Sequence, residues 1–313
     1  MKNIKLGILE FGLSDKLNSM SIVEDILAYA SKADELNYSR FWLTEHHNPS
    51  VHHAYNNPEI LITIIAGITE QIRVGSAGSL IGYYSPYSLA QNYKLLNNIY
   101  NNRIDFGLSK GRPSNSHRHN FFNTNNQSFK NLMFSENLEN ICDLLQNELS
   151  NYEQKEIVIP PFKGETPELW YLSNSYTSKD LAVEKRLNIC RSLMHGLDVL
   201  NVDPEKQNLS AYKDQFYKKH KKYPEVAAAI AVSFSKSKKE LEEINKNSQN
   251  RREALKILAL DFDSMEEQLL EFQEIYGINE FILYDTERNI DKKIENLVSI
   301  NHVMELNSVE ISL

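Results

Sequence analysis

RFWLTEHHNP, residues 40–49, joins an apolar run of strand formers, Phe41, Trp42 and Leu43, to an abrupt cluster of polar and titratable groups: Thr44, Glu45, His46, His47 and Asn48. A hydrophobic strand that delivers such a cluster at its C-terminal end is how a β/α barrel builds an active site. Histidine is the side chain most easily set to give or take a proton near neutral pH. Other strands with the same pattern should therefore bring their ends to the same rim.

Seven do. Residues 4–9 read as a buried first strand, and 73–77, 103–108, 168–172 (ELWYL), 187–193, 226–232 (VAAAIAV) and 281–284 (FILY) as the remaining ones. Helical spacing fills the gaps. Ser21 with Glu24 reads as a capping box for the first helix, 58–68 and 86–99 as the next two, and 132–149 as one long helix. Short helices follow at 178–185 and 204–219. Ser264 with Glu267 reads as a second capping box opening 265–276, with Gly277 as its stop, and 290–304 closes the chain. Eight strands alternating with helices over 313 residues predict a (β/α)8 TIM barrel with modest loop insertions, drawn as one domain over 1–313. Two stretches break the alternation. Residues 113–127, rich in Ser, Asn and His, read as a mobile loop over the fourth strand, and 245–259 as extra helix.

Composition narrows the function. A net charge of −8 argues against a nucleic-acid partner, because phosphate binding needs a basic face. Cys142 and Cys190 are far apart and lack metal-ligand spacing, which fits a reducing cytoplasm and two small core hydrophobes. The first residues, MKNIKLGILEFG, read as a strand without a signal-peptide core, and no run approaches the roughly 20 apolar residues that span a bilayer. His46, His47, His52 and His53 do not give HExxH geometry, so no metal is expected.

Several strand ends carry polar or small groups. Beyond Glu45, His46 and His47 come Ala77, Gly78 and Ser79, a small-residue turn where the flat face of another molecule can approach backbone. Ser109, Lys110, Gly111 and Arg112 follow the fourth strand. Ser173 to Ser178 follow the fifth, just before a helix, and their hydroxyls facing two cations suggest a phosphate cradle. Plainer readings stand beside these: Ser175, Thr177 and Ser178 as helix caps, Lys110 and Arg112 as surface charges, the histidines as hydrogen-bonded core.

The stretch from Arg40 to Gly111, above all WLTEHHN and YSP, resembles the bacterial luciferase-like flavin-dependent monooxygenases. PELWYLSNSYTSKDLAVEKRL is similar to that family's fifth strand and phosphate loop, and MEEQLLEFQEIYGINEFILYD to its last helix and strand. The resemblance implies a barrel that binds FMN as FMNH2, supplied by a separate flavin reductase, and uses O2 to oxygenate a small-molecule substrate. It implies that His46 is the catalytic histidine handling protons at the flavin, with His47 beside it. Ala77 and Gly78 fall on a cis peptide beneath the flavin ring, Lys110 on a phosphate-binding arginine, and Ser175, Thr177 and Ser178 on phosphate-loop hydroxyls. A homodimer packed through the early helices is implied as well.

The chain departs from the family pattern at several points. Lysine at 110 loses the bidentate fork of arginine, and 132–149 holds no arginine for a second phosphate contact, so weak flavin retention is expected. Asn97 and Asn102 replace the usual Asp and Gly, although asparagine still takes a positive φ. Ser109 excludes thiol chemistry at that position. Two other readings remain open at this stage: a deazaflavin-dependent hydride-transfer enzyme, and a non-catalytic flavin-binding accessory subunit.

Overall fold

The computed structural model describes residues 4–47, 51–111, 131–195, 202–235, 237, 239–243 and 255–306. Nine strands run in parallel: β1 (Lys5–Glu10), β2 (Arg40–Leu43), β3 (Arg73–Ser76), β4 (Ile104–Leu108), β5 (Glu168–Ser173), β6 (Asn188–Ser192), β7 (Val226–Phe234), β8 (Ile257–Leu260) and β9 (Glu280–Asp285). Their order is β6-β5-β4-β3-β2-β1-β9-β7, and a β6–β7 pairing closes eight of them into a ring. The fold is thus the expected (β/α)8 barrel. The helices are α1 (Ser19–Glu35), α2 (Glu59–Ile68), α3 (Pro86–Ile99), α4 (Asn131–Gln146), α5 (Glu148–Lys155), α6 (Lys179–Glu184), α7 (Val202–His220), α8 (Phe262–Tyr276) and α9 (Ile290–Met304).

The period-two pleat explains how residues 40–49 work. Phe41 and Leu43 face outward into the apolar layer under the helices, while Trp42 packs inside the ring with Trp170, Cys190 and Ile282. Arg40, one step below Trp42, is buried with Asp105 and Glu280. Its Nη1 donates to Asp105 Oδ2 and its Nε to Glu280 Oε1, both at 2.8 Å. Trp42 Nε1 also donates to Asp105 Oδ2, and Arg73 Nε to Asp105 Oδ1. The ion pairs therefore plug the barrel floor. Inward alanines of β7, Ala227, Ala229 and Ala231, offset the bulk of the two tryptophans.

Several elements differ from the sequence reading. The first helix begins at Ser19, because Asn18 Oδ1 accepts from the Met20 and Ser21 N–H groups and caps one turn before the Ser21 box. The Ser264 box is likewise pre-empted by Asp261, whose side chain accepts from the Asp263 N–H. Residues 132–149 hold two helices, broken at Asn147, whose side chain donates to Asp143 Oδ1. The extra helix expected over 245–259 ends instead in a strand: β8 adds to the C-terminal half of β7, Ala231 opposite Ile257 through Phe234 opposite Leu260. Its remainder, and the loop expected at 113–127, lie outside the described residues. Gly277 ends α8 at φ +64° and Asn102 takes φ +62°, as their residue types predict.

Candidate active site

A cavity of about 410 Å³ opens at the C-terminal ends of the strands. Its apolar wall is formed by Leu9, Phe11, Trp42, Leu80, Leu172 and Met194, and its polar groups come from several strand ends, among them Thr44, Glu45, His46, His47, Ser173, Asn174, Ser192 and His195. Ala77, Gly78 and Ala229 line it with almost no side chain. This is the volume and mix of a small-ligand site.

His46 is fixed from two directions. Its Nδ1 lies 3.0 Å from Thr44 Oγ1, and its ring stacks on Phe11 at 5.2 Å. Phe11 in turn packs on Tyr284 at 4.2 Å. Burial, with His53, His195 and His47 nearby, holds the His46 imidazole down at about 4, against the opposing pull of Glu45. At neutral pH it is an uncharged ring, able to accept a proton.

His47 belongs to a second arrangement centred on Glu45, which is almost wholly buried. Glu45 Oε2 accepts from the Leu80 N–H at 2.9 Å, and Oε1 accepts from the Tyr84 hydroxyl and lies 2.7 Å from His47 Nε2. The carboxylate so satisfied ties the end of β2 to the turn after β3 and orients the His47 ring.

That turn carries a cis peptide between Ala77 and Gly78. A Cβ at Gly78 would come within 2.6 Å of Leu172 Cδ1 and 2.8 Å of the Gly107 backbone, so only glycine lets β3, β4 and β5 approach this closely.

Four of the residues singled out from sequence, His46, His47, Ala77 and Gly78, therefore line one cavity. Lys110, Ser175, Thr177 and Ser178 do not line it, although their neighbours Ser109, Gly111, Ser173 and Asn174 do. Ser175 Oγ and Thr177 Oγ1 lie 2.8 Å apart, and the Thr177 N–H donates to Ser175 Oγ at 3.4 Å. Ser178 Oγ accepts from the Tyr171 hydroxyl at 3.2 Å. Lys110 Nζ sits 6.0 Å from the centre of the Phe134 ring, which packs at 6.1 Å from Tyr171.

Sequence reasoning missed Phe11, Cys190, Ser192, Met194, His195 and Ala229. A rim list carried past the fifth strand to SLMH, residues 192–195, would have found three of them. Cys190 is buried as expected, and burial pushes its thiol up to about 12, so it stays protonated at the cavity wall. No group of three metal-ligating side chains occurs among the described residues, nor a helix long and apolar enough to cross a membrane.

A closed parallel barrel with an imidazole and a small-residue ledge at its C-terminal rim defines a class of barrel proteins whose ligands sit across the barrel mouth. Residues 7–295 match the family model described as luciferase-like monooxygenase, and the chain belongs to that family. The uncharacterized protein YwcH of Bacillus subtilis (strain 168) is 32% identical over 185 residues, 58% of this chain and 54% of YwcH, so the match spans about half of that relative. The N-acetyl-S-alkylcysteine monooxygenase of the same organism is 34% identical over 108 residues, 34% of this chain and 32% of its own length. Among solved structures, apo-MsnO8 superposes with a TM-score of 0.79 at 20% identity, covering 97% of this chain and 99% of its own. The oxygenating constituent of 3,6-diketocamphane monooxygenase from Pseudomonas putida, in complex with FMN, gives 0.69 at 16% identity, covering 98% of both chains.

Proposed function

We propose that the chain is a flavin-dependent monooxygenase that takes FMNH2 from a separate flavin reductase. With O2 it places one oxygen atom in a small organic substrate and releases the other as water. The observation that carries this reading is His46: an uncharged imidazole fixed by Thr44 and Phe11, set in the wall of a largely apolar cavity beside the Ala77–Gly78 ledge.

The residues present fit an FMN. Ala77 and Gly78 leave a flat ledge for a planar ring system, Ala229 leaves room across the ring from them, and Trp42 and Leu172 give apolar contact. Lys110 with Ser175, Thr177 and Ser178 offers a cation and hydroxyls for a phosphate at the lip, next to cavity-lining Ser109 and Asn174. When bound, reduced flavin supplies two electrons and the activation of oxygen. The chain's own part is to exclude water with Leu9, Phe11, Leu80 and Met194, and to hold or move a proton at the nitrogen of His46 not engaged by Thr44. Glu45 and Tyr84 position His47 at the same rim.

The reductase rests on the family's way of working and on the FMN-bound neighbour being named an oxygenating constituent. The relative's name makes N-acetyl-S-alkylcysteines the first substrates to assay. A homodimer is supported by α2, whose Ile60, Ile64 and Ile68 are 74%, 39% and 49% exposed at helical spacing although its other face is buried core.

His46→Ala, followed by stopped flow after mixing the reduced-flavin protein with oxygen, tests the central claim. The expected loss in coupled turnover is about 10²- to 10⁴-fold. Unchanged turnover and unchanged flavin reoxidation would remove His46 from the chemistry. Parallel titration with a reduced deazaflavin distinguishes hydride transfer.

A further inference from the structure

We propose that His195 and Ser192, at the end of β6, form a recognition point for a carboxylate of the substrate. This rests on the reading that a small organic molecule occupies the cavity. Both residues line it. Ser192 Oγ lies 2.6 Å from His195 Nδ1, which fixes the ring, and among the described residues Nε2 makes no hydrogen bond. The imidazole is thus held with one nitrogen available for a ligand.

Ring topology sets what that ligand spans. From β2 to β6 is four steps around a ring of eight, so His195 stands across the barrel mouth from His46. His46 and His195 line the same cavity of about 410 Å³. A molecule anchored at β6 by one end therefore extends toward the imidazole of β2.

The groups around the site favour a hydrogen-bond acceptor there. Arg191 adjoins on β6, buried and tied to Glu205 on α7 through Nε at 3.1 Å and Nη2 at 2.9 Å. His46 and His47 face the cavity from β2, and His53 packs against His46 with ring centroids 6.5 Å apart. The single carboxylate lining the cavity among the described residues, Glu45, already accepts from the Leu80 N–H and the Tyr84 hydroxyl and pairs with His47. With the Ser192 hydroxyl donating to His195 Nδ1, Nε2 carries the proton and becomes the donor of the far wall, and a carboxylate accepting from it gains a charge-assisted hydrogen bond with no competing acceptor charge beside it.

The test compares binding of N-acetyl-S-methylcysteine with that of its methyl ester, which loses the charge and gains one methyl group. Calorimetry on the full chain, with and without bound FMN, reads affinity without needing turnover. Wild type is expected to favour the acid at least tenfold. His195→Gln should bring acid and ester within about twofold, His195→Arg should restore the preference, and FMN affinity should be the same in all three. Equal binding of acid and ester, binding of neither, a preference that survives in His195→Gln, or a loss of FMN affinity in that variant overturns the assignment. Failure of the wild type to take up FMN would instead sink the flavin reading, and the acid–ester comparison without FMN would still decide the role of His195.

Discussion

At the scale of single residues, the chemistry of the rim depends on what surrounds each imidazole. His46 carries no charge at neutral pH because burial and its histidine neighbours outweigh Glu45. Folded His46 takes up a proton only near pH 4, while the same ring in an unfolded chain does so near its ordinary 6.5. Between those values the unfolded state binds more protons, so stability falls as pH drops from 6.5 toward 4 and this loss is complete below. Thermal unfolding followed across that range should show a shallower acid decline in His46→Asn than in wild type, and kcat/KM of the wild type should hold level through neutrality and drop only toward pH 4. The EHH cluster was legible because hydrophobic residues stop dead at Leu43 and titratable ones begin. His195 follows the strand read at 187–193 and went unnoticed because a lone histidine after an apolar run, unlike the EHH cluster, does not stand out among core residues. The Glu45–Tyr84 contact joins residues 39 apart, a proximity that only the fold creates.

At the scale of elements, most strands could be located because parallel barrel strands are buried on both faces and read as apolar runs. Helix starts were harder. Two Ser-x-x-Glu patterns at Ser21 and Ser264 gave way to Asn18 and Asp261, because a short polar side chain one turn earlier caps the helix there, so that the serines fall inside the first turn. Asn18→Ala should therefore cost about 1 kcal/mol, read as a lower denaturant midpoint with unchanged slope, whereas Ser21→Ala should change it little. The strand β8 escaped notice because LKILALD is built from good helix formers. Its four residues pair because the end of β7, beyond its contact with β6, exposes an edge that Ile257–Leu260 covers.

At the scale of the whole molecule, two features carry predictions. The floor of the barrel is held by Arg40 between Asp105 and Glu280, all buried. Arg40→Met leaves Glu280 without its cation and Asp105 with Arg73 alone, and should cost roughly 3–5 kcal/mol, measured by chemical denaturation. The second feature is the apolar outer face of α2, continued by exposed Leu95 and Ile99 of α3, which Asn92 links to α2 through Glu59. Ile64→Glu should shift the mass seen by sedimentation from dimer to monomer. A wild type already monomeric at micromolar concentration would remove that proposal. The hydroxyls proposed to hold a phosphate were open to two readings from spacing, a cradle or helix caps, and the resemblance tipped the choice.

The alanines of β7 have one more implication. Because Ala227, Ala229 and Ala231 point into the ring and, of the three, only Ala229 reaches the cavity, a single methyl group on a strand sets the room at that rung. A larger residue at that rung would trim the space without disturbing the imidazoles, and a glycine would deepen it.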